Sequence, residues 1–248
     1  LRQLPRLTRI GLGSGTIATQ IAAQLQDAEL LKRGRVHPIN VLVAMKTYAS
    51  GASERGNSVW TPSRIFTDAL DAAFYNAYGA VEPAGVRTLE ALDVSDSMTW
   101  VNVSGLPITP REASAALSMV SVATEPDAEV VGFSSGGWSM PGKRYGYYGS
   151  GISKIDISPR RRLDDNMRTI RQVSAGGTDC ALPMVWAKNT GENFGAVRIY
   201  TDNETWAGNI HVDQALEEYR QKVGHDVKLE IVAMTANGTS LCNPEDPS

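Results

Sequence analysis

Three stretches of the chain gather oxygen donors of the kind that hold a hard cation. The first is Thr88 to Met98, T-L-E-A-L-D-V-S-D-S-M, where a short apolar run stops at Asp93 and is followed by Ser95 and Ser97. An apolar run that ends in a carboxylate and two alternate hydroxyls predicts a strand delivering oxygen ligands to one point. The second is Gly176-Gly177-Thr178-Asp179, a tight glycine turn, and the third is Thr201-Asp202-Asn203-Glu204, at the end of another strand-like run. A lone D-x-S-x-S is a weak signal, but the three stretches in this order make a strong one. Hydroxyls and carboxylates without sulfur or imidazole point to Mg²⁺ or a similar hard divalent cation and disfavour Zn²⁺. Ser95, Ser97 and Thr178 would touch the ion, Asp93 and Asp202 would hold its waters, and one vertex would stay open for an outside oxygen ligand. The competing reading makes Ser95 and Ser97 caps of the following segment and Asp93 a strand-end acceptor.

Elements that could position such a site are visible in the hydrophobic pattern. From Thr88 onward strands and helices alternate: Thr88 to Asp93, helix Pro110 to Ala123 capped by Thr109, strand Glu129 to Ser134, a possible edge strand at Ile152 to Ile157, and helix Asp164 to Val173. Helix Ala181 to Lys188, strand Ala196 to Asp202, helix Asp213 to Val223 and strand Lys228 to Thr235 complete the order. This order predicts an α/β fold with a mainly parallel sheet covered on both faces, whose ligands sit beyond the carboxyl ends of the strands. Residues 4 to 50 read as helical, with a break at His37-Pro38, where a capping or packing role is expected for the histidine. A further helix is expected from Ser63 to Tyr78, with Thr61 as N-cap and Pro62 at its first position. Gly11-Leu12-Gly13-Ser14-Gly15 lacks the strand and glycine spacing of a phosphate-binding turn and reads as a turn before a capped helix. Val81 to Gly85 breaks the helical pattern, which places a domain boundary between residues 85 and 86.

With 248 residues, 42% apolar and 21% charged, the chain suits a globular protein of two domains. Its net charge of -3 does not by itself suggest nucleic acid, although residues 1 to 85 are mildly basic and the remainder acidic. Two cysteines, Cys180 and Cys242, form no metal-type spacing, and no apolar run approaches a membrane span. A cytoplasmic protein without membrane attachment is expected. The chain starts at Leu1 without methionine and stops in a turn-rich sequence, so it is expected to be part of a longer protein.

The D-x-S-x-S, threonine and aspartate pattern resembles the metal-ion-dependent adhesion site of a von Willebrand factor A domain. Leu30-Leu31-Lys32 running into Val36-His37-Pro38, the helix Thr67 to Tyr75, Val81-Glu82-Pro83, Ala175 to Cys180, Thr201 to Thr205 and Met234-Thr235-Ala236-Asn237-Gly238 closely resemble the Ro ribonucleoprotein family, over about Leu30 to Pro247. The resemblance implies that residues 1–85 are the last helices of a ring-shaped, helical-repeat RNA-binding module called TROVE, and that 86–248 is the von Willebrand A-like domain that closes it. It also implies binding of Y RNAs and misfolded noncoding RNAs in RNA quality control, in bacteria together with an exoribonuclease, and no enzymatic activity of its own. Family positions make Ser95, Ser97 and Thr178 the cation ligands and give its waters to Asp93 and Asp202. Asp96 departs from the small residue common there, the insertion Gly136 to Ser158 is longer than usual, and the family continues past residue 248.

Two further expectations come from the residues themselves. Lys143, Arg144, Lys154, Arg160, Arg161, Arg162, Arg168 and Arg171, with Trp138, Tyr145, Tyr147 and Tyr148 interleaved, suit an auxiliary single-stranded RNA contact. Glu90, Arg198 and Glu230 lie within strands expected at the sheet centre, where Arg198 would bridge both carboxylates. Rival functions are a protein-binding A domain, in which a partner's acidic group completes the ion's shell, and a Mg²⁺-dependent hydrolase, for which no nucleophile and base arrangement is recognisable.

Overall fold

The computed structural model describes residues 1–53, 56–134, 151–173, 176–202 and 210–235. Its contacts divide the chain into two compact units: Leu1–Pro83 with Gly105–Ile108, and Ala84–Ser104 with Thr109–Ser248.

The first unit is helical, with α1 (Leu4–Arg9), α2 (Gly15–Leu25), α3 (Ala28–Arg33), α4 (Pro38–Ala49) and α5 (Arg64–Asn76) followed by a short 3-10 turn. The apolar stripe of α5, Phe66, Ala69, Leu70, Ala73 and Phe74, is buried, as its helical spacing requires. Tyr48 ties the unit together: its hydroxyl lies 2.6 Å from Thr8 Oγ1 and accepts the Ser63 N–H at 2.9 Å, while Trp60 Nε1 donates to its carbonyl at 2.8 Å. This explains a departure from the sequence pattern. The helix starts one turn's edge later than Thr61-Pro62 suggests, with Ser63 as N-cap, and the Ser63 hydroxyl does not cap because it is donated to the Gly13 carbonyl.

His37 is the N-cap of α4, with Pro38 at the first helical position. Its Nδ1 accepts the Ile39 N–H at 3.2 Å, which requires the unprotonated ring nitrogen, and burial pushes the imidazole below its ordinary value.

In the second unit the order is β1 (Thr88–Asp93), α6 (Pro110–Thr124), β2 (Ala128–Phe133), β3 (Ile152–Lys154), α7 (Leu163–Arg171), α8 (Leu182–Thr190), β4 (Ala196–Thr201), α9 (Val212–Val223) and β5 (Lys228–Ala233). The sheet runs β3-β2-β1-β4-β5, parallel throughout except for β3. Alternate residues divide its faces. Leu89, Ala91, Val131, Phe133, Val197 and Ile199 join Met184, Ala187, Leu216 and Tyr219 in a core beneath α8 and α9, while α6 and α7 lie on the other face. Helix α6 opens with a complete capping box, Thr109 and Glu112 exchanging hydrogen bonds, and α8 and α9 end on Gly191 and Gly224 in the left-handed conformation.

The face under α6 carries the charged residues. Arg198 Nε meets Glu230 at 2.7 Å, and Nη1 meets Glu90 and Glu125 at 3.1 Å each; Tyr200 donates to Glu90 at 2.6 Å. Arg198 thus bridges the two strand carboxylates and also reaches the last turn of α6. Burial opposes its charge, but Glu90 and Glu230 outweigh this and hold the guanidinium protonated far above ordinary pH. The expectation that all three residues are central needs correcting: Glu230 sits on the outer described strand with its side chain 54% exposed, against 0% for Glu90.

Two outcomes follow. Arg198→Met strands the buried Glu90 and should cost about 3 kcal/mol in urea unfolding, whereas Glu230→Gln should cost less than about 1 kcal/mol; equal losses would contradict the cluster. Because the folded His37 value lies below the unfolded one, its stabilisation is complete above about pH 6.5 and is lost as pH falls through the folded value. Between pH 8 and pH 5 the chain should therefore lose more stability than His37→Asn, which caps without titrating; identical losses would rule this out.

Candidate metal centre

Helix crossovers place β2 on one side of β1 and β4 on the other. The crevice where the strand order reverses lies beyond the carboxyl ends of β1 and β4, and Asp93 and Asp202 stand at those two ends. Gly132 permits the approach from the side of β2, since a Cβ there would meet Val94 Cγ1 at 2.8 Å.

Asp93 is the hub. Its Oδ1 accepts the Ser95 N–H at 2.8 Å, and its Oδ2 accepts the hydroxyls of Thr201 at 3.0 Å and Thr178 at 3.3 Å. Ser95 Oγ lies 3.0 Å from Ser97 Oγ. Asp93, Ser95, Thr178, Thr201 and Asp202 are buried, Ser97 is half-buried and Asp96 exposed. The Asp202 carbonyl accepts the Thr235 hydroxyl, which ties the end of β4 to the residue following β5. Of the competing reading, Asp93 is indeed a strand-end hydrogen-bond acceptor and Ser95 stands at the N-cap of a 3-10 turn, but the Ser95 side chain makes no cap bond.

Burial pushes the Asp93 carboxyl above its ordinary range, and the neighbouring Asp202 charge adds to this, while hydrogen bonds from Ser95 and Thr201 oppose it. Two carboxylates so placed gain from a dication between them. The donor set fits a hard one: octahedral Mg²⁺–oxygen bonds of about 2.0–2.1 Å put adjacent oxygens about 2.9 Å apart, and the two serine hydroxyls, hydrogen-bonded to each other at 3.0 Å, already stand near that spacing. Among the described residues no three His, Cys, Asp or Glu side chains gather at one point. Histidines are engaged elsewhere: His37 and His211 cap helices, and His225 Nε2 lies 2.6 Å from Asn193 Oδ1.

All five residues expected from the sequence come together. Two were not singled out. Thr201 is a strand residue whose hydroxyl points to Asp93, a contact that strand pairing alone creates. Arg111, in the first turn of α6, inserts its guanidinium beneath the loop, where Nη2 donates to the carbonyls of Val94 at 3.0 Å and Ser95 at 2.6 Å. The T-P-R-E sequence carries a clear cap signal but nothing that shows the arginine turning inward.

The basic run is partly consumed by the fold. Arg161 binds the Asp156 carboxylate at 2.7 Å, Lys154 reaches Glu129 at 2.6 Å, and Arg168 pairs with Asp165 at 2.5 Å. Arg160 and Arg162 are exposed. Lys143, Arg144 and the four aromatic residues lie outside the described residues.

Comparison with known proteins agrees with the fold. Residues 87–248 match the Ro60 vWA domain and residues 1–47 the TROVE domain. The RNA-binding protein RO60 of Deinococcus radiodurans is 40% identical over 250 residues, covering 99% of this chain and 44% of that protein. Its namesake in Caenorhabditis elegans is 36% identical over 247 residues, covering 99% and 36% respectively. The crystal structure of the Deinococcus radiodurans RO (RSR) protein superposes with a TM-score of 0.86 over 99% of this chain and 47% of that one. The chain therefore spans less than half the length of these relatives. A described helix long and apolar enough to cross a membrane is absent. With its parallel sheet, its crevice of Asp93, Ser95, Ser97, Thr178 and Asp202, and these matches, the chain belongs to the Ro60 family, with a von Willebrand factor A domain preceded by TROVE sequence.

Proposed function

We propose that this chain is the cation-binding von Willebrand A part of a Ro-type RNA-binding protein. The observation that carries the cation is the convergence of three separated stretches on Asp93, with the two serine oxygens 3.0 Å apart. Ser95, Ser97 and Thr178 would hold Mg²⁺ directly, and Asp93 and Asp202 would orient its waters. The bound ion would supply a positive centre for an outside oxygen ligand. Ordering that ligand is the work of the loop, and no nucleophile is assigned.

RNA as partner is supported by the relatives, which are named RNA-binding proteins. The proposed RNAs are Y RNA and misfolded noncoding RNA, in RNA quality control in the cytoplasm, with an exoribonuclease as the proposed associate. Arg160 and Arg162, together with Arg161, Lys143 and Arg144, are proposed as an auxiliary contact to the phosphate backbone.

A second reading has an observation of its own. Trp100 and Val101, directly after the cation loop, are 76% and 53% exposed. An acidic side chain of a protein partner, flanked by apolar residues, would suit an ion beside that patch.

Mg²⁺ or Mn²⁺ at about a hundredfold excess over its dissociation constant should stabilise the chain by about 2.7 kcal/mol, and Asp93→Asn or Ser95→Ala should abolish the gain. The same shift in wild type and both variants, or none in any, would refute the site. Gel-shift titration with single-stranded RNA separates the partners: retention supports the RNA reading, and cleavage would favour a hydrolase. Replacing Arg160 and Arg162 by Gln should weaken retention and flatten its salt dependence by about one unit of slope per lost phosphate contact. Unchanged affinity and slope would remove those residues from the interface.

A further inference from the structure

Arg111 is buried, 5% exposed, at a position where a cation has two reasons not to be. It occupies the second residue of α6, where the helix dipole disfavours positive charge, and its guanidinium is withdrawn from water. Its Nε finds no hydrogen-bond partner among the described residues. A buried apolar residue of similar volume would avoid all three costs. What the arginine does provide is one nitrogen shared between two successive carbonyls, Val94 and Ser95, at 3.0 and 2.6 Å.

Those carbonyls belong to the peptide units that orient the cation loop. The peptide between Val94 and Ser95 directs the Ser95 N–H at Asp93 Oδ1, 2.8 Å away, and the Ser95 carbonyl belongs to the link toward Ser97, whose hydroxyl must lie beside that of Ser95. With both carbonyls held from below, neither peptide can rotate without breaking a charge-assisted hydrogen bond. Burial weighs most on the guanidinium and pushes it below its ordinary value; Asp93 and Asp96 favour its charge, and Arg171 opposes it.

We propose that Arg111 is the positioning residue of the cation site, fixing the main chain at Val94 and Ser95 so that the Ser95 and Ser97 hydroxyls keep the spacing of adjacent ligands. This rests on the cation reading above. It assigns to α6 a function that its apolar face does not reveal: the helix carries the clamp for a loop on which it presents no ligand.

The test is Mn²⁺ affinity, read by paramagnetic resonance of the free ion, alongside urea stability without metal, for the unsubstituted chain, Arg111→Met and Arg111→Lys. Arg111→Met should bind Mn²⁺ about tenfold to a hundredfold more weakly, as losses of outer-shell partners generally do. Arg111→Lys, with one ammonium able to reach a carbonyl, should recover part of that loss. A purely packing role would lower stability in both variants and leave affinity within about twofold, and that result would overturn the inference. Should Arg111→Met fail to fold, unchanged affinity in Arg111→Lys overturns it equally. No Mn²⁺ binding by the unsubstituted chain would instead remove the cation reading, and the inference with it.

Discussion

A carboxylate withdrawn from water at the end of a central strand must be satisfied by donors, and in this domain that constraint brings distant parts of the chain together. Asp93 takes one N–H from its own loop and hydroxyls from the Thr178 turn and from β4. None of these donors is charged, so the acid is hydrogen-bonded but not neutralised, and a second acid, Asp202, stands beside it. The crevice is thus solved for hydrogen bonds and left open in charge.

The same strands carry a second buried polar assembly that ends differently. Glu90, three residues before Asp93, meets Arg198 and Tyr200, and Arg198 also meets Glu125 and Glu230. Here a guanidinium is supplied by the chain itself, so the group is closed. Glu125 further accepts the N–H groups of Ala84 and Gly85 at 3.1 Å each, which fixes the lead into β1 against the end of α6. Helix α6 is thereby held at both ends, by Arg111 near the crevice and Glu125 far from it. One assembly anchors the strands, and the other offers chemistry.

How far the sequence reveals these features depends on their range. The alternating strands and helices, the Thr109 cap and the His37 cap are local patterns, written in hydrophobic spacing and in residues that bond their own neighbours. The start of α5 is not legible locally, because Thr61-Pro62 is a good local signal and yet the helix begins after Ser63, whose N–H donates to the distant Tyr48 hydroxyl. The basic run shows the same limit. Eight cations in one segment suggest an open surface, yet Arg161, Lys154 and Arg168 are spent on Asp156, Glu129 and Asp165.

By itself the sequence determined the types of oxygen donor and their order along the chain, because hydroxyls and carboxylates after strand-like runs are readable residue by residue. It also carried the family, through motifs that need no coordinates. Only the tertiary structure decided that Thr201 joins Asp93, that Glu230 faces outward while Glu90 is buried, and that Arg111 turns under the loop after Asp93. Each depends on which face of an element meets which neighbour, and that is set by strand pairing and helix packing between separate elements, beyond the reach of any local pattern.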